Sequence, residues 1–205
     1  MKDNERTKII GTNVILVPYK KTHVERYHEW MKSAELRYLT GSEILTLEEE
    51  FQMQKRWHQD EDSEYVNLSF NTRLYRNSTF IFLLECTFII LDKSIFSETK
   101  DEIEAMIGDT NLFFNEYNQP SKAEIEIMIA NVACRGKRRG WESTILMLIY
   151  GSYSMALCFA NIQILLHLCD IFQEYTFEKV VKQDWRDWLY SEIMGAINYE
   201  ISNKE

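Results

Sequence analysis

The sequence predicts an α+β domain, because strand-like and helix-like segments alternate along most of the chain. Runs of β-branched and apolar residues mark the strands, and capping residues followed by apolar positions at helical spacing mark the helices. The composition suits one core: of 205 residues, 45% are hydrophobic and 27% charged, with only 7 Gly and 2 Pro. The sequence has no linker-like composition and no internal repeat, so we expect residues 1–205 to form a single domain.

The chain begins with a strand that leads into a helix. Residues 13–19 are mostly β-branched and apolar, which favours a strand. Thr22 and Glu25 have the spacing of a capping box, in which each side chain accepts a hydrogen bond from the other residue's backbone amide. This pair predicts a helix that continues over residues 23–31.

A second helix is predicted from Thr46, which again has a glutamate three residues later, Glu49. Apolar residues recur at helical spacing from there to about His58. The acidic stretch of residues 59–65 follows, and such a run is typical of a solvated loop. We therefore expect the helix to end where this stretch begins.

The middle of the chain predicts three strands. Residues 87–91 are apolar and β-branched, and a polar loop is expected over residues 92–104. Residues 106–114 and 123–130 indicate two further strands on either side of a turn. In the second of them glutamate and isoleucine alternate, which is the period of a half-buried strand. We expect these two strands to pair as an antiparallel hairpin.

The last third begins with a basic segment, residues 134–140, and continues into an apolar helix over residues 141–159. Residues 162–168 and 172–177 predict two more strands. An amphipathic helix closes the chain, and its apolar positions include Trp185, Trp188 and Leu189.

The charge and the cysteine pattern exclude several classes of function. With 23 basic and 32 acidic residues the net charge is −9, which disfavours sequence-independent binding to nucleic acid. The 4 cysteines form no CxxC pair and the 4 histidines no HExxH motif, so we expect no metal site. The charged N-terminus lacks the apolar core of a secretory signal, and we expect a cytoplasmic protein.

One long segment raises the alternative of a membrane anchor. Residues 143–168 contain no Asp, Glu, Lys or Arg, and roughly 20 apolar residues suffice to cross a bilayer. Polar residues interrupt the segment, however, and its second half is typical of a strand. A buried helix followed by a buried strand explains it at least as well, so we expect no membrane partner.

A glycine-bearing basic loop between a strand and a helix is the most informative feature of the sequence. In such a loop, successive backbone amides and the start of the helix can surround an anion. The loop supplies four cationic side chains within an acidic protein, which favours phosphate or pyrophosphate binding. A solvated basic loop is the alternative. The six residues of the loop are Arg135, Gly136, Lys137, Arg138, Arg139 and Gly140.

Two strings in the sequence are specific: Tyr-His-Glu-Trp-Met-Lys-Ser and Gly-Asp-Thr-Asn-Leu-Phe. They lie within a longer set of matching segments, residues 14–19, 27–33, 45–48, 87–92, 107–113, 124–130 and 134–137. Together these segments resemble the GNAT superfamily of acetyl-CoA-dependent N-acetyltransferases, and in particular the N-acetyltransferase 9 (alpha/beta-tubulin N-acetyltransferase) family. The resemblance covers most of residues 9–62 and 86–157.

The resemblance implies an α/β/α fold with a mixed, mostly antiparallel central sheet, and acetyl-CoA as the co-substrate. In the superfamily a Q/R-x-x-G-x-G/A loop holds the cofactor's pyrophosphate, and Arg135 and Gly140 match its first and last positions. Arg138 stands where the family has its middle glycine. Its side chain either crowds the pyrophosphate and disfavours the backbone angle, or points outward and adds charge.

The resemblance also implies roles on the strand before the loop. Backbone groups of Ile127, Met128 and Ile129 are expected to bind the pantetheine arm, with one amide polarising the thioester carbonyl. Amine acetylation needs a base, and we expect Glu126 in that role with Glu124 as the alternate. Both carboxylates could instead simply face solvent.

Two departures from the family bear on activity. Residues 64–85 look like an insertion, and the chain is shortened after Leu168, where the family has a helix that often carries the thiolate's proton donor. No general acid can be assigned for this reason. Asp109 and Asn111 are expected on the acceptor side.

We therefore expect an N-acetyltransferase that acts on a protein amine, with the tubulin N-terminus suggested by the resemblance alone. The alternative is a catalytically impaired GNAT-like variant that acts as a binding or scaffold protein.

Overall fold

A computed structural model describes residues 4–59, 85–114, 122–154, 162–170, 173–181 and 183–194. Within these ranges the strands form one seven-stranded sheet whose spatial order follows the chain. Every adjacent pair is antiparallel except β5 and β6, which are parallel. The predicted mixed, mostly antiparallel sheet is thus confirmed. The strands are β1 Ile9–Ile10, β2 Val14–Pro18, β3 Glu85–Asp92, β4 Met106–Phe114, β5 Lys122–Ile129, β6 Ile162–Asp170 and β7 Gln173–Val181.

Helices cover both faces of the sheet. The core between α6, α7 and one face is separate from the core between α1–α5 and the other face, which gives the α/β/α layering expected from the resemblance. The helices are α1 Val24–Met31, α2 Ala34–Leu39, α3 Leu47–Gln59, α4 Lys93–Thr99, α5 Glu102–Ala105, α6 Arg139–Ser154 and α7 Gln183–Met194.

The central strands are continuously apolar because both of their faces are buried. In β2, Val14 and Leu16 pack on the α6 side, whereas Ile15 and Val17 pack on the α1 side. Alternate side chains of a strand point to opposite faces, and a strand covered on both faces has no position left for polar residues. This explains why the sequence pattern of β2 lacks alternation.

The start of α1 differs from the prediction. A short 3-10 helix, Lys21–His23, precedes α1, and the capping box predicted for Thr22 and Glu25 is wrong. The Lys20 amide donates instead to Nδ1 of the fully buried His23 at 3.1 Å. His23 Nε2 lies 3.2 Å from Glu102 Oε2. A buried histidine with two partners therefore fixes the chain before the predicted cap is reached.

The predicted loop over residues 92–104 is also wrong, since it holds α4 and α5. Asp92 and Asp101 accept hydrogen bonds from the first backbone amides of these helices, as N-cap residues do. By contrast, the second capping box is confirmed. The Thr46 amide donates to Glu49 Oε2 at 2.7 Å, and the Glu49 amide donates to Thr46 Oγ1 at 3.3 Å. The short helix α2, capped by Ser33, was not predicted.

Of the two expected departures from the family, one lies between described strands and the other lies almost wholly outside the described residues. β6 ends at Asp170 and β7 begins at Gln173, so only two residues connect them and no helix lies between. The expected insertion over residues 64–85 lies outside the described residues, apart from Glu85 at the start of β3. In the part of the chain that is described, no helix is long and apolar enough to cross a membrane.

Candidate functional site

The sheet stops being continuous between β5 and β6. On its β4 side β5 is paired along to Ile129, but on its β6 side the last pair is Ile125 with Leu166. Both strands continue for several residues beyond this pair. On the β6 side, residues 127–129 are thus left without a ladder partner among the described strands. Extended ligands bind such free strand edges through backbone hydrogen bonds.

The basic loop lies directly after this unpaired stretch. Asn131 begins it, since its Oδ1 accepts from the Ala133 amide at 3.0 Å and caps a 3-10 turn. Gly136 and Arg138 both have positive φ, +71° and +60°. This left-handed conformation is usual for glycine and costs other residues about 1–2 kcal/mol. Arg138 therefore adopts a backbone angle that favours glycine, and its side chain is exposed.

The start of α6 faces the unpaired part of β5. The first helical hydrogen bond runs from the Glu142 amide to the Arg138 carbonyl at 3.0 Å, so the amides of residues 139–141 precede it. A Cβ at Gly140 would lie 3.6 Å from side-chain carbons of both Ile127 and Ile129. The positive end of the helix dipole is therefore beside the strand edge that lacks a partner.

The four cations of the loop fall into two pairs. Arg135 donates Nε to the Ile129 carbonyl at 2.8 Å and lies 3.7 Å from Glu35. Arg139 donates Nε to Asp92 Oδ2 at 3.0 Å. Both side chains thus hold the loop to the rest of the fold.

The remaining two cations are available at the surface. The side chains of Lys137 and Arg138 are exposed and make no ion pair with any residue that the structure describes. The structure therefore brings the predicted anion-binding residues into one loop. It leaves Lys137, Arg138 and the backbone amides to face a ligand.

The two candidate bases occupy different places on β5. Glu124 is opposite Leu165 of β6, inside the closed part of the ladder. Glu126 is exposed and comes directly after the last β5–β6 pair. It is opposite Asn111 of β4. The register therefore favours Glu126 over Glu124 as the base, and both roles remain predictions.

Asp109 and Asn111 lie on the same face of the sheet as Glu126. Asp109 is 4% exposed, and its Oδ2 accepts from Asn111 Nδ2 at 3.1 Å. Burial raises the pKa of Asp109 to about 7; the Asn111 hydrogen bond opposes this shift and the charge of Glu126 adds to it. Asp109 is opposite Met128, so this carboxyl stands at the level where the strand edge is open.

Sequence reasoning missed Tyr19, Tyr27 and Glu50, which lie on the same side of the sheet as Asp109. Tyr19, at the end of β2, is 3% exposed, and its ring centroid lies 5.4 Å from that of Tyr27 on α1. Glu50 on α3 is 1% exposed, and His28 Nδ1 approaches its Oε1 at 3.8 Å. Burial raises the pKa of Tyr19, and the charges of Glu50 and then Asp109 raise it further.

The spacing of α3 carried a signal for Glu50. Glu50, Gln54 and Trp57 recur at the four- and three-residue intervals that place side chains on one helix face. Glu50 and Gln54 are buried, and Trp57 packs against the core. A carboxylate within an apolar stripe is thus a candidate for a buried functional group. Among the described residues, no cluster of three His, Cys, Asp or Glu side chains that could hold a metal ion is found.

Comparisons with known proteins identify relatives of this chain in sequence and in fold. No model of a known protein family matches the chain. The Alpha/beta-tubulin-N-acetyltransferase 9 of Drosophila melanogaster is 39% identical to it, with 93% of this chain and 94% of that protein aligned. The human protein of the same name is 36% identical, with 92% of this chain and 90% of that protein aligned.

The fold has solved counterparts as well. The crystal structure of apo FdhC, a nucleotide-linked sugar GNAT, superposes with a TM-score of 0.56 over 93% of this chain and 98% of that one, at 10% identity. At this identity the likeness concerns the fold alone. The sequence relatives decide the family: the chain belongs to the N-acetyltransferase 9 family and has the fold of the GNAT acetyltransferases.

Proposed function

We propose that this chain transfers the acetyl group of acetyl-CoA to a primary amine of a protein. The observation that carries the proposal is the end of β5–β6 pairing at Ile125, with the start of α6 beside the free edge of β5. In this arrangement the first amides of α6 lie near the β5 residues that β6 leaves unpaired, which supports an acetyl-CoA site here. The relatives' names support the reaction.

The residues present fit acetyl-CoA. Its pyrophosphate suits the unpaired amides of residues 139–141 and the exposed cations Lys137 and Arg138. Its pantetheine arm carries amide groups that can pair with backbone groups of residues 127–129 on the side that β6 leaves open. The left-handed φ of Arg138 keeps the turn that the family makes with glycine, which supports binding despite the substitution.

When bound, acetyl-CoA supplies a thioester whose carbonyl carbon an amine can attack. A backbone amide near Met128 would donate to the carbonyl oxygen, where negative charge develops. Glu126, exposed on the acceptor face of β5, would draw in a cationic amine. The side chains of Asp109 and Glu50 add further negative charge behind it.

The acceptor is proposed from chemistry and from the relatives together. An acidic face suits an ammonium group, and the Drosophila and human relatives are named for α/β-tubulin. We therefore propose the N-terminal amine of a tubulin chain as the first acceptor to test, and a cytoplasmic protein as the setting.

A second function is favoured by one observation, the direct connection of β6 to β7. The family helix that often carries a proton donor for the leaving thiolate has no place in two residues. A protein of this kind could bind acetyl-CoA or a protein partner without turnover, as a GNAT-like binding or scaffold protein.

Calorimetric titration with acetyl-CoA tests the shared first step. We expect saturable binding, weakened about fivefold to thirtyfold by Lys137→Glu, because a surface charge contributes up to about 1 kcal/mol and its reversal up to about twice that. Lys55→Glu changes the net charge equally, but from an exposed position on α3, and we expect unchanged affinity. If the folded chain does not bind acetyl-CoA, the result would contradict the proposed acetyltransferase activity.

Incubation with acetyl-CoA and purified tubulin heterodimer then separates the two functions. Acetylated tubulin N-termini in peptide mass spectra support transfer. Binding of acetyl-CoA without any acetylated tubulin peptide supports the binding protein instead.

A further inference from the structure

The acceptor face contains buried oxygen atoms that lack hydrogen-bond donors. Glu50 Oε2, Asp109 Oδ1 and Asn111 Oδ1 have no partner among the described residues, and neither has the hydroxyl of Tyr19. Buried polar atoms are nearly always paired, and each exception calls for an explanation. Carboxylate and amide oxygens can only accept, so the group that the three oxygens of Glu50, Asp109 and Asn111 lack is a donor. The Tyr19 hydroxyl could either donate or accept.

These atoms belong to one cluster between the sheet and helices α1 and α3. Tyr19 and Tyr27 are in ring contact, and the pKa of Tyr27 is raised by burial, by Asp109, by Tyr19, by Glu50 and by Glu126, in that order. The carboxylates of Asp109, Glu50 and Glu126 thus all raise the pKa of Tyr27. The cluster is acidic and holds no lysine or arginine among its described members. A cationic donor is the ligand that such a cluster would favour.

The strand register places the cluster beside the open edge of β5. Asp109 is opposite Met128, and Asn111 is opposite Glu126. Directly opposed residues have Cα atoms about 4.5–5.5 Å apart, closer than residues two apart along one strand. By register, Asp109 is therefore nearer to Met128 than Glu126 is.

We propose that Asp109 is the group that accepts the proton of the acceptor ammonium, and that the exposed Glu126 attracts the cation to it. This inference rests on the proposed function. It transfers the role of base from the strand β5 carboxylates to a buried carboxylate on β4. Asn111, which donates to Asp109 Oδ2, leaves Oδ1 as the accepting atom.

The proposed reaction transfers one acetyl group from the sulfur of coenzyme A to the nitrogen of the acceptor. The Asp109 carboxylate takes one proton from the ammonium, directly or through one water, and leaves a neutral amine. The nitrogen lone pair then forms a bond to the thioester carbonyl carbon, and the carbon–sulfur bond breaks. Coenzyme A leaves as a thiolate, the amide nitrogen releases its second proton to solvent, and the thiolate gains one proton from solvent.

The surroundings of Asp109 suit this role. A general base is most effective when its pKa lies near the working pH, and burial brings the pKa of Asp109 to about 7. Glu126 is exposed instead. The titratable and charged groups that face the cluster are Tyr19 from β2, Tyr27 and His28 from α1, Glu50 from α3 and Glu126 from β5.

Infrared titration of the whole chain tests the assignment without turnover. We expect a protonated-carboxyl band that disappears as the pH rises through about 7. Asp109→Asn should remove this band, and Glu126→Gln should retain it at a slightly lower pH, because a neighbouring negative charge is lost. Glu50→Gln identifies the band of the other buried carboxyl. Absence of any band assigned to Asp109 near neutral pH would overturn the proposal.

The pH dependence of kcat/KM with acetyl-CoA and tubulin heterodimer gives the second readout. Wild-type activity should fall below about pH 7, where Asp109 is protonated. Asp109→Asn should lose this limb and about 10²- to 10⁴-fold of kcat at pH 8, with acetyl-CoA affinity unchanged by calorimetry. Glu126→Gln should raise KM and keep the limb.

The outcomes separate this proposal from the proposed function. Wild-type transfer, with Asp109→Asn within threefold of it, overturns the role of Asp109 and leaves the function standing. No transfer by wild-type chain that binds acetyl-CoA overturns the function, and the role of Asp109 with it.

Discussion

The two sides of the site differ in whether backbone groups or side chains form them. On the α6 side, a surface loop presents backbone amides, and its two anchored cations bind the fold instead of facing the cleft. On the α1–α3 side, the groups are side chains, buried and partly without hydrogen-bond partners. The loop can therefore tolerate a changed side chain, as it does at Arg138. The buried cluster depends on the identity of each residue, and its unpaired atoms lower stability.

The largest expected effect comes from removing the charge of the buried cluster. Burial raises the pKa of folded Asp109 to about 7, above its unfolded value, so the folded state holds a proton that the unfolded state has lost between about pH 4 and 7. Stability therefore falls as the pH rises through this range. A rise in the pKa of Asp109 from about 4 to about 7 corresponds to roughly 4 kcal/mol of stability lost at high pH.

Asp109→Asn should remove this loss. In urea denaturation at a series of pH values, variant and wild type should be similar at pH 3.5, and the variant should be more stable above pH 7. A difference between the two that does not change with pH would contradict the buried charge.

An intermediate effect is expected where the loop is anchored. Arg139→Ala leaves the buried carboxylate of Asp92 without its guanidinium, although Ser94 and Ile95 still donate to it. A hydrogen bond to a charged group contributes about 1.5–3 kcal/mol, so we expect a loss of about 2 kcal/mol in the free energy of unfolding.

Lys137→Ala is the matched control in the same loop, because its exposed side chain makes no described ion pair. Its expected effect is within about 0.5 kcal/mol, as for most surface substitutions. Equal losses in both variants would mean that the contact between Arg139 and Asp92 does not anchor the loop.

The smallest effect is a gain. Arg138→Gly relieves the left-handed backbone of an arginine, but glycine also increases the entropy of the unfolded chain. We expect a net gain of about 0.5 kcal/mol in stability, while acetyl-CoA affinity falls up to about fivefold because one exposed cation of the loop is lost. Arg138→Ala removes the same side chain without relieving φ, and thermal unfolding should show no gain. A gain from alanine as large as that from glycine would contradict backbone strain as its cause.

The sequence predicted elements where the local pattern and the tertiary environment agree. The hairpin of β4 and β5 has alternating residues in one strand and was found in the expected pairing. The box of Thr46 and Glu49 lies on an exposed helix start, where nothing competes with it. At Thr22, the buried His23 competes and takes the Lys20 amide instead.

The candidate site divides in the same way. Its loop was found from the sequence because glycines and cations are contiguous there. Tyr19, Glu50 and Asp109 are far apart in the chain and meet only in the fold. Glu50 also follows two glutamates that stay exposed, so its local context indicates a solvated helix face. The one sequence signal for Glu50 is its helical spacing to Gln54 and Trp57, and the packing of α3 shows that it is the buried one of the three.

The parallel pairing of β5 with β6 has a consequence for the order of folding. The antiparallel pairs from β3 to β5 join strands close in sequence, whereas β5 meets β6 only after α6 has crossed between them. Parallel strand pairs between distant segments form slowly, because the chain loses the entropy of closing the loop before it gains any stabilising contact. Among strands β3 to β6, the β5–β6 pair should therefore be the last to form. Cofactor binding would then report completed folding, and a cofactor present during refolding should trap the finished state.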